Sequence, residues 1–276
     1  MKRNDFLKKC ASAPHLVWMT LFIIAPLCFV IYYSFTDADG TFTLSNIASV
    51  FTPSYLRVFA RSIAFAFLST LICLLIGYPV AYYISRASEK MQKLLIILVM
   101  LPMWTNFLIR TYSLMVIFED NGLINSALRT IGLPTFTILG TNAAVIIGMV
   151  YNFLPFMILP IYSVLTKMDN RLIEAAHDLG CTRFGVLCKV TVPLSISGIV
   201  SGITMVFVPA ISTFYISKKM VGEKFDLIGD VIEKKFTSEM YDYNLGSALA
   251  LGLMILILIS MLILNKYSDD EGSVAP

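Results

Sequence analysis

Apolar and polar positions along this chain separate into six long apolar runs divided by charged stretches, and the runs set the class of protein. They lie near Leu16 to Phe35, Ser62 to Ser85, Leu94 to Phe118, Ala143 to Leu165, Val192 to Ser217 and Tyr243 to Asn265, with Arg110 the one charge inside them. Read as helix at about 1.5 Å per residue, each run is long enough to cross a hydrocarbon core about 30 Å thick. The pattern predicts an all-α polytopic membrane protein with six transmembrane helices. The first run follows Lys2, Arg3, Lys8 and Lys9, as a signal sequence would. It is nonetheless longer than the usual apolar core of a signal and ends without an A-x-A site, so it is expected to be retained as a helix. A mean hydropathy of +0.78, with 57% hydrophobic and 14% charged residues, agrees with a bilayer setting.

Six spans place both termini on one side, and basic residues indicate which side. Lys2, Arg3, Lys8 and Lys9, then Arg86, Lys90 and Lys93, then Lys167, Arg171, Arg183 and Lys189, with Lys266, make up 12 of the 21 Lys and Arg. The opposite loops hold Arg57, Arg61 and Arg129 and five lysines between Lys218 and Lys235, which weakens the bias. Termini on the cytoplasmic side is the expectation, and the net charge of +3 then reflects topology. Basic patches with interleaved aromatics are lacking, so nucleic acid is not an expected partner. Cys10, Cys28, Cys73, Cys181 and Cys188 fall inside spans or on the cytoplasmic side, where no structural disulfide is expected. Cys181 and Cys188 lack the nearby ligands that zinc would need, so no metal site is expected, and His15 and His177 read as packing residues.

Pro26, Pro79, Pro102, Pro155, Pro160 and Pro209 lie inside the runs and remove backbone donors, so kinked helices are expected. Two outer loops, Thr36 to Arg61 and Lys218 to Asp242, are substantial, and the acidic tail Asp269, Asp270 and Glu271 reads as a frayed end.

The loop between the fourth and fifth runs, about residues 167–190, reads as two short helices. Asp169 or Asn170 can cap the first, Gly180 can end it in a left-handed turn, and Thr182 can cap the second. Leu172, Ala175, Ala176 and Leu179 share one face of the first helix, expected to dock inward, with Arg171, Glu174 and Asp178 opposite.

Within that loop, Glu174-Ala175-Ala176, three residues, Gly180, nine residues and Val190-x-Val192-Pro193 resemble the EAA signature of ABC importer permeases, EAA-x3-G-x9-I-x-L-P. The two departures keep apolar branched side chains. A second block, Leu101-Pro102-Met103-Trp104-Thr105-Asn106-Phe107-Leu108-Ile109-Arg110-Thr111-Tyr112 with Tyr151-Asn152-Phe153-Leu154-Pro155-Phe156-Met157, is similar to the B-type permease subunits of spermidine/putrescine importers, over nearly the whole chain. The resemblance implies a single permease domain over residues 1–276 with the type I, MetI-like architecture of ABC importers, in a bacterial plasma membrane. It implies that Glu174, Ala175, Ala176 and Gly180 belong to the coupling helix, which rests in a cleft of a cytoplasmic ATPase dimer. It also implies a second homologous permease subunit, an extracytoplasmic polyamine-binding protein, and ATP and Mg2+ bound by the ATPase. The chain itself has no G-x-x-x-x-G-K-[ST], no H-E-x-x-H and no G-x-S-x-G, so neither a cofactor of its own nor catalysis by it is expected.

A polyamine is a flexible cation, so its route should offer carboxylates for charge and aromatic faces for cation–π contact. Phe214, Tyr215 and Lys218 stand at the outer end of the fifth run, and Asp226, Asp230 and Glu233 follow at helical spacing. They are candidates for an outer gate latched by Lys218 and Glu233, with Trp104 and Tyr112 as further pathway candidates. The alternative is a solvated acidic face beside an interfacial aromatic belt. An unpaired charge within a span is expensive, so Arg110 is expected to be structural, lying at the interface or pairing with Glu119 or Asp120 if the span is shifted outward, with a role in the pathway as the alternative. Two other functions stay open: a permease for another organic cation or a metal chelate, and a stand-alone secondary carrier, against which the lack of an inverted repeat argues.

Overall fold

The computed structural model describes residues 14–222, 224–238 and 241–272. Lys2, Arg3, Lys8, Lys9 and Cys10 lie outside them. The described residues form helices and connecting turns, with one isolated antiparallel bridge between Thr36 and Phe42. In chain order the helices are α1 (Pro14–Ser34), α2 (Ser45–Val50), α3 (Pro53–Ser85), α4 (Glu89–Met100), α5 (Phe107–Phe118), α6 (Leu123–Thr130), α7 (Asn142–Leu165), α8 (Asn170–Asp178), α9 (Arg183–Val186), α10 (Ile196–Ser212), α11 (Tyr215–Val221), α12 (Ile228–Thr237) and α13 (Tyr243–Gly272). Among them α1, α3, α7 and α13 are each long and apolar enough to cross a membrane. Two bent pairs raise the number to six if each pair is one span.

These pairs correct two of the expected spans. The third is not a continuous helix from Leu94 to Phe118: Glu89–Trp104 and Phe107–Thr130 meet at 91°. A 3-10 turn, Leu101–Trp104, carries Pro102 at its start, and Asn106 then opens α5 by accepting a hydrogen bond from the Leu108 amide at 2.8 Å. Proline removes a donor and the Asn106 cap restarts the ladder in a new direction. The fifth is broken twice. Arg183–Leu194 meets Ile196–Ser212 at 69°, and the chain leaves the helix again at Thr213 before α11. A π-helical stretch, Leu187–Thr191, precedes Pro193, and the Ser195 hydroxyl donates to the Val192 carbonyl at 3.0 Å. The hydroxyls of Tyr78 and Ser195 are 3.0 Å apart, which ties the bend to α3. By contrast Pro79, Pro155, Pro160 and Pro209 lie within α3, α7 and α10 without ending them.

Helix α3 begins at Pro53, nine residues before the expected Ser62, and α2 lies just ahead of it, so the first outer loop is largely helical. The acidic tail also differs from expectation, because the α13 backbone is helical through Asp269, Asp270 and Glu271.

Two compact units are distinguishable: Met1–Arg57 with Val231–Leu256, and Val58–Asp230 with Ile257–Pro276. In the first, Asn244 donates to the carbonyls of Thr36 and Tyr33, and Asn46 donates to the Thr36 carbonyl at 2.9 Å. In the second, α10 packs along α7 through Gly198 and Gly202, four residues apart. A Cβ at Gly198 would lie 3.0 Å from the Pro160 carbonyl oxygen, and one at Gly202 would lie 2.8 Å from the Met157 sulfur. Small residues at this spacing let two backbones approach closely where lipid offers no hydrophobic drive to association. We expect Gly198→Ile, whose side chain would push against backbone, to destabilise the packed pair by about 1–3 kcal/mol. The check is the thermal unfolding midpoint of the detergent-solubilised protein, and an unchanged midpoint would show that the close approach is dispensable.

Candidate functional site: the EAA loop and the bend at Arg110

Local capping builds the EAA loop. The Asp169 carboxylate accepts from the Arg171 amide at 2.9 Å and opens α8. At the other end Gly180 adopts φ +84°, its amide donates to the His177 carbonyl at 2.8 Å, and the Cys181 amide donates to the Ala176 carbonyl at 3.1 Å. This pair of bonds is the Schellman closure, which needs a left-handed residue at the position Gly180 occupies. Thr182 then caps α9, its hydroxyl accepting from the Gly185 amide at 3.1 Å. The three signals read from the sequence at Asp169, Gly180 and Thr182 act as expected.

The faces of α8 do not. Ala176 is buried and Ile173 half-buried, whereas Leu172, Ala175 and Leu179 are exposed, Leu179 by 86%. Leu172, Ala175, Ala176 and Leu179 therefore do not dock inward together; only the Ala176 edge does. Glu174 is exposed as well, and Phe184 on α9 is 73% exposed. The loop exposes Leu172, Leu179 and Phe184 as well as the Glu174 carboxylate.

The second site lies at the 91° bend. Arg110 is 9% exposed, and its Nε donates to Asn152 Oδ1 on α7 at 2.7 Å while Nη1 donates to the Pro102 carbonyl at 2.9 Å. Its guanidinium lies 6.0 Å from the ring centres of both Phe107 and Tyr151. Asn152 completes the group by donating to Thr111 Oγ1 at 3.3 Å and to the Gly148 carbonyl at 2.9 Å. Arg110 thus pairs with an amide and a carbonyl rather than with the expected Glu119 or Asp120. The physical reason is the bend, which brings the Pro102 carbonyl, already accepting from the Thr105 amide and hydroxyl, back within reach of α5. A cavity of about 520 Å³ opens beside this group, lined by Met103, Phe107, Arg110, Phe153, Phe156 and Met205 among others. Trp104 and Tyr112 are both exposed, Trp104 at the bend and Tyr112 on α5.

Of the gate candidates, Phe214 stands just ahead of α11 and Tyr215 opens it, with the Tyr215 ring 6.1 Å from that of Phe107. Asp230 does not lie on a solvated acidic face. It is buried, and its Oδ2 accepts from the Ser217 hydroxyl at 2.7 Å and from the Leu227 amide at 2.8 Å. An acid in the first turn of α12 that reaches back to the amide just ahead of the helix satisfies a donor the helix leaves open. Asp226 and Glu233 are half-buried, and Lys218 is exposed.

Two residues that the sequence reading assigned no role matter here. Asn152 is one; a lone amide in an otherwise apolar run is costly and implies a polar partner, which was the available signal. Lys219 is the other, with Nζ 5.9 Å from the Tyr112 ring centre and 5.8 Å from that of Tyr215. The i, i+4 spacing from Tyr215 on α11 was the available signal for one of its contacts, and none marks the other.

Residues 73–270 match the family described as binding-protein-dependent transport system inner membrane component. The chain is 38% identical to the spermidine/putrescine transport system permease protein PotB of Haemophilus influenzae, across 97% of this chain and 96% of that protein. It is 37% identical to PotB of Escherichia coli across 91% and 94% of the two chains. Among solved structures, a bacterial ABC transporter involved in the import of the acidic polysaccharide alginate matches with TM-score 0.80, across 99% of this chain and 98% of that one, at 17% identity. The MetNI methionine ABC transporter matches with TM-score 0.58, across 78% and 95%, at 19% identity. These two likenesses show a shared fold. Given the match over residues 73–270 and the 38% identity across nearly its whole length, the chain belongs to the binding-protein-dependent transport system inner membrane component family.

Proposed function

We propose that this chain is the permease subunit of an ATP-driven ABC importer of polyamines. It forms half of the translocation route with a second homologous permease and receives substrate from an extracytoplasmic polyamine-binding protein. The observation that carries the reading is the 38% identity to a spermidine/putrescine permease across 97% of the chain. The chain lies in a bacterial inner membrane with both termini cytoplasmic, which puts the EAA loop on the same side as the ATPase dimer that binds ATP and Mg2+. Binding of ATP there shifts the balance between inward- and outward-facing arrangements only if α8 is gripped differently in the two. Leu172, Leu179, Phe184 and Glu174 are all exposed on this loop, which leaves both apolar and charged side chains available for that grip.

The test is uptake of labelled spermidine into proteoliposomes holding the assembled transporter and ATP. Uptake that depends on ATP and is competed by unlabelled putrescine and spermidine supports the reading. Competition by other organic cations or metal chelates alone replaces polyamine as the substrate class, and uptake without any ATPase subunit replaces the importer with a carrier.

The same assay tests the outer gate. Lys218→Glu and Glu233→Lys each lower uptake, and the double exchange restores about two- to fivefold, the worth of an exposed ion pair. A double variant no better than either single one removes the latch.

A further inference from the structure

The Lys219 ammonium sits against two tyrosine rings, Tyr112 on α5 and Tyr215 on α11, at 5.9 and 5.8 Å from their centres. Both distances fall within the ~6 Å over which a cation is held by a ring face. The Tyr215 ring in turn lies 6.1 Å from Phe107, which lines the cavity beside Arg110. The rings are not sealed in: Tyr112 is exposed, and Tyr215 and Lys219 are half-buried. An accessible cation site built from aromatic faces therefore adjoins the cavity, and it holds a cation that belongs to the chain.

The chemistry of that cation is specific. A lysine side chain is four methylenes ending in a primary ammonium. The aminobutyl end of putrescine or spermidine is the same group, with the same reach, hydration and charge. A site that accepts one accepts the other. Exchange of one ammonium for another also leaves the charge between the rings unchanged, so the cage needs no carboxylate of its own to take substrate.

We propose that Tyr112 and Tyr215 form an ammonium-binding cage that Lys219 fills at rest, and that the terminal ammonium of a polyamine enters it by displacing Lys219. The lysine acts as a tethered competitor: it keeps the cage from collapsing between turnovers and admits only a ligand able to replace a primary ammonium. This rests on the polyamine reading above.

Spermidine uptake by the assembled transporter, normalised to the amount of the chain in the membrane, tests it. Lys219→Met keeps the length of the stem and removes the competing charge, and it raises kcat/KM for spermidine about 3- to 10-fold. Tyr112→Leu or Tyr215→Leu lowers it by a similar factor, and Phe at either position recovers most of what Leu loses. The deciding measurement combines the two changes. In the Lys219→Met background a Leu substitution at either tyrosine still lowers uptake, because the rings hold substrate. If those substitutions have no further effect once Lys219 is gone, the rings serve only to hold a structural lysine and the cage is overturned; a fall in uptake for Lys219→Met overturns it as well. A wild-type transporter that takes up no polyamine overturns both this proposal and the substrate reading, whereas polyamine uptake indifferent to Lys219→Met, Tyr112→Leu and Tyr215→Leu overturns the cage alone.

Discussion

Glu174→Arg combined with Gly180→Asp abolishes ATP-driven uptake while the chain still inserts into the membrane at its normal level. Both positions are exposed, and a Cβ at Gly180 would meet nothing within 4 Å, so neither substitution disturbs packing. The cost inside the chain is conformational: φ +84° at position 180 is a region that side chains other than glycine adopt at about 1–2 kcal/mol. That loosens the closure of α8 without removing the Asp169 cap at its other end. On the proposed function the effect on coupling is larger, because the reversed charge at Glu174 and a shift of the exposed Leu179 both alter the face offered to the ATPase. Coupling free energies of this kind change function roughly 5- to 150-fold. The check is uptake per copy of chain together with co-purification of the ATPase. Unchanged uptake in the double variant would sink the coupling role of the loop.

Arg110→Ala lowers both uptake and stability, and Arg110→Lys does not rescue it. Alanine leaves the buried Asn152 Oδ1 without its charged donor, while the Pro102 carbonyl keeps the Thr105 amide and hydroxyl. Losing a hydrogen bond to a charged group and stranding its buried partner costs about 1.5–3 kcal/mol. Lysine keeps the charge but not the planar fork that reaches an amide and a carbonyl together. The 91° bend between the 3-10 turn and α5 is then no longer held, and the cavity beside it loses its shape. Uptake at matched protein abundance and the unfolding midpoint in detergent both report the change. Near-normal values of both for Arg110→Ala would remove Arg110 from the translocation machinery and from the list of structural clamps.

How much could be read in advance differs between the loop and the bend. The caps at Asp169, Gly180 and Thr182 were legible because a cap is a contract between residues two to five positions apart. The inward face of α8 was misjudged because its periodicity shows only which residues share a side. Whether that side meets this chain or another depends on what lies across from it, and only the Ala176 edge meets this chain. Asp230 was placed on an outer acidic line by spacing, yet Ser217 and the Leu227 amide hold it inside.

The six apolar runs were enough to establish a membrane protein of helices, because burial in lipid demands length and hydrophobicity whatever the helices pack against. The Glu174 to Pro193 spacing likewise carried the family. Where the third and fifth spans break, which of six prolines bends its helix, and which partner Arg110 takes came from packing. A membrane helix is apolar on every side, so its residues do not say which face meets protein. The Arg110 to Asn152 bond and the Lys219 contact with Tyr112 also join parts of the chain that no local rule connects.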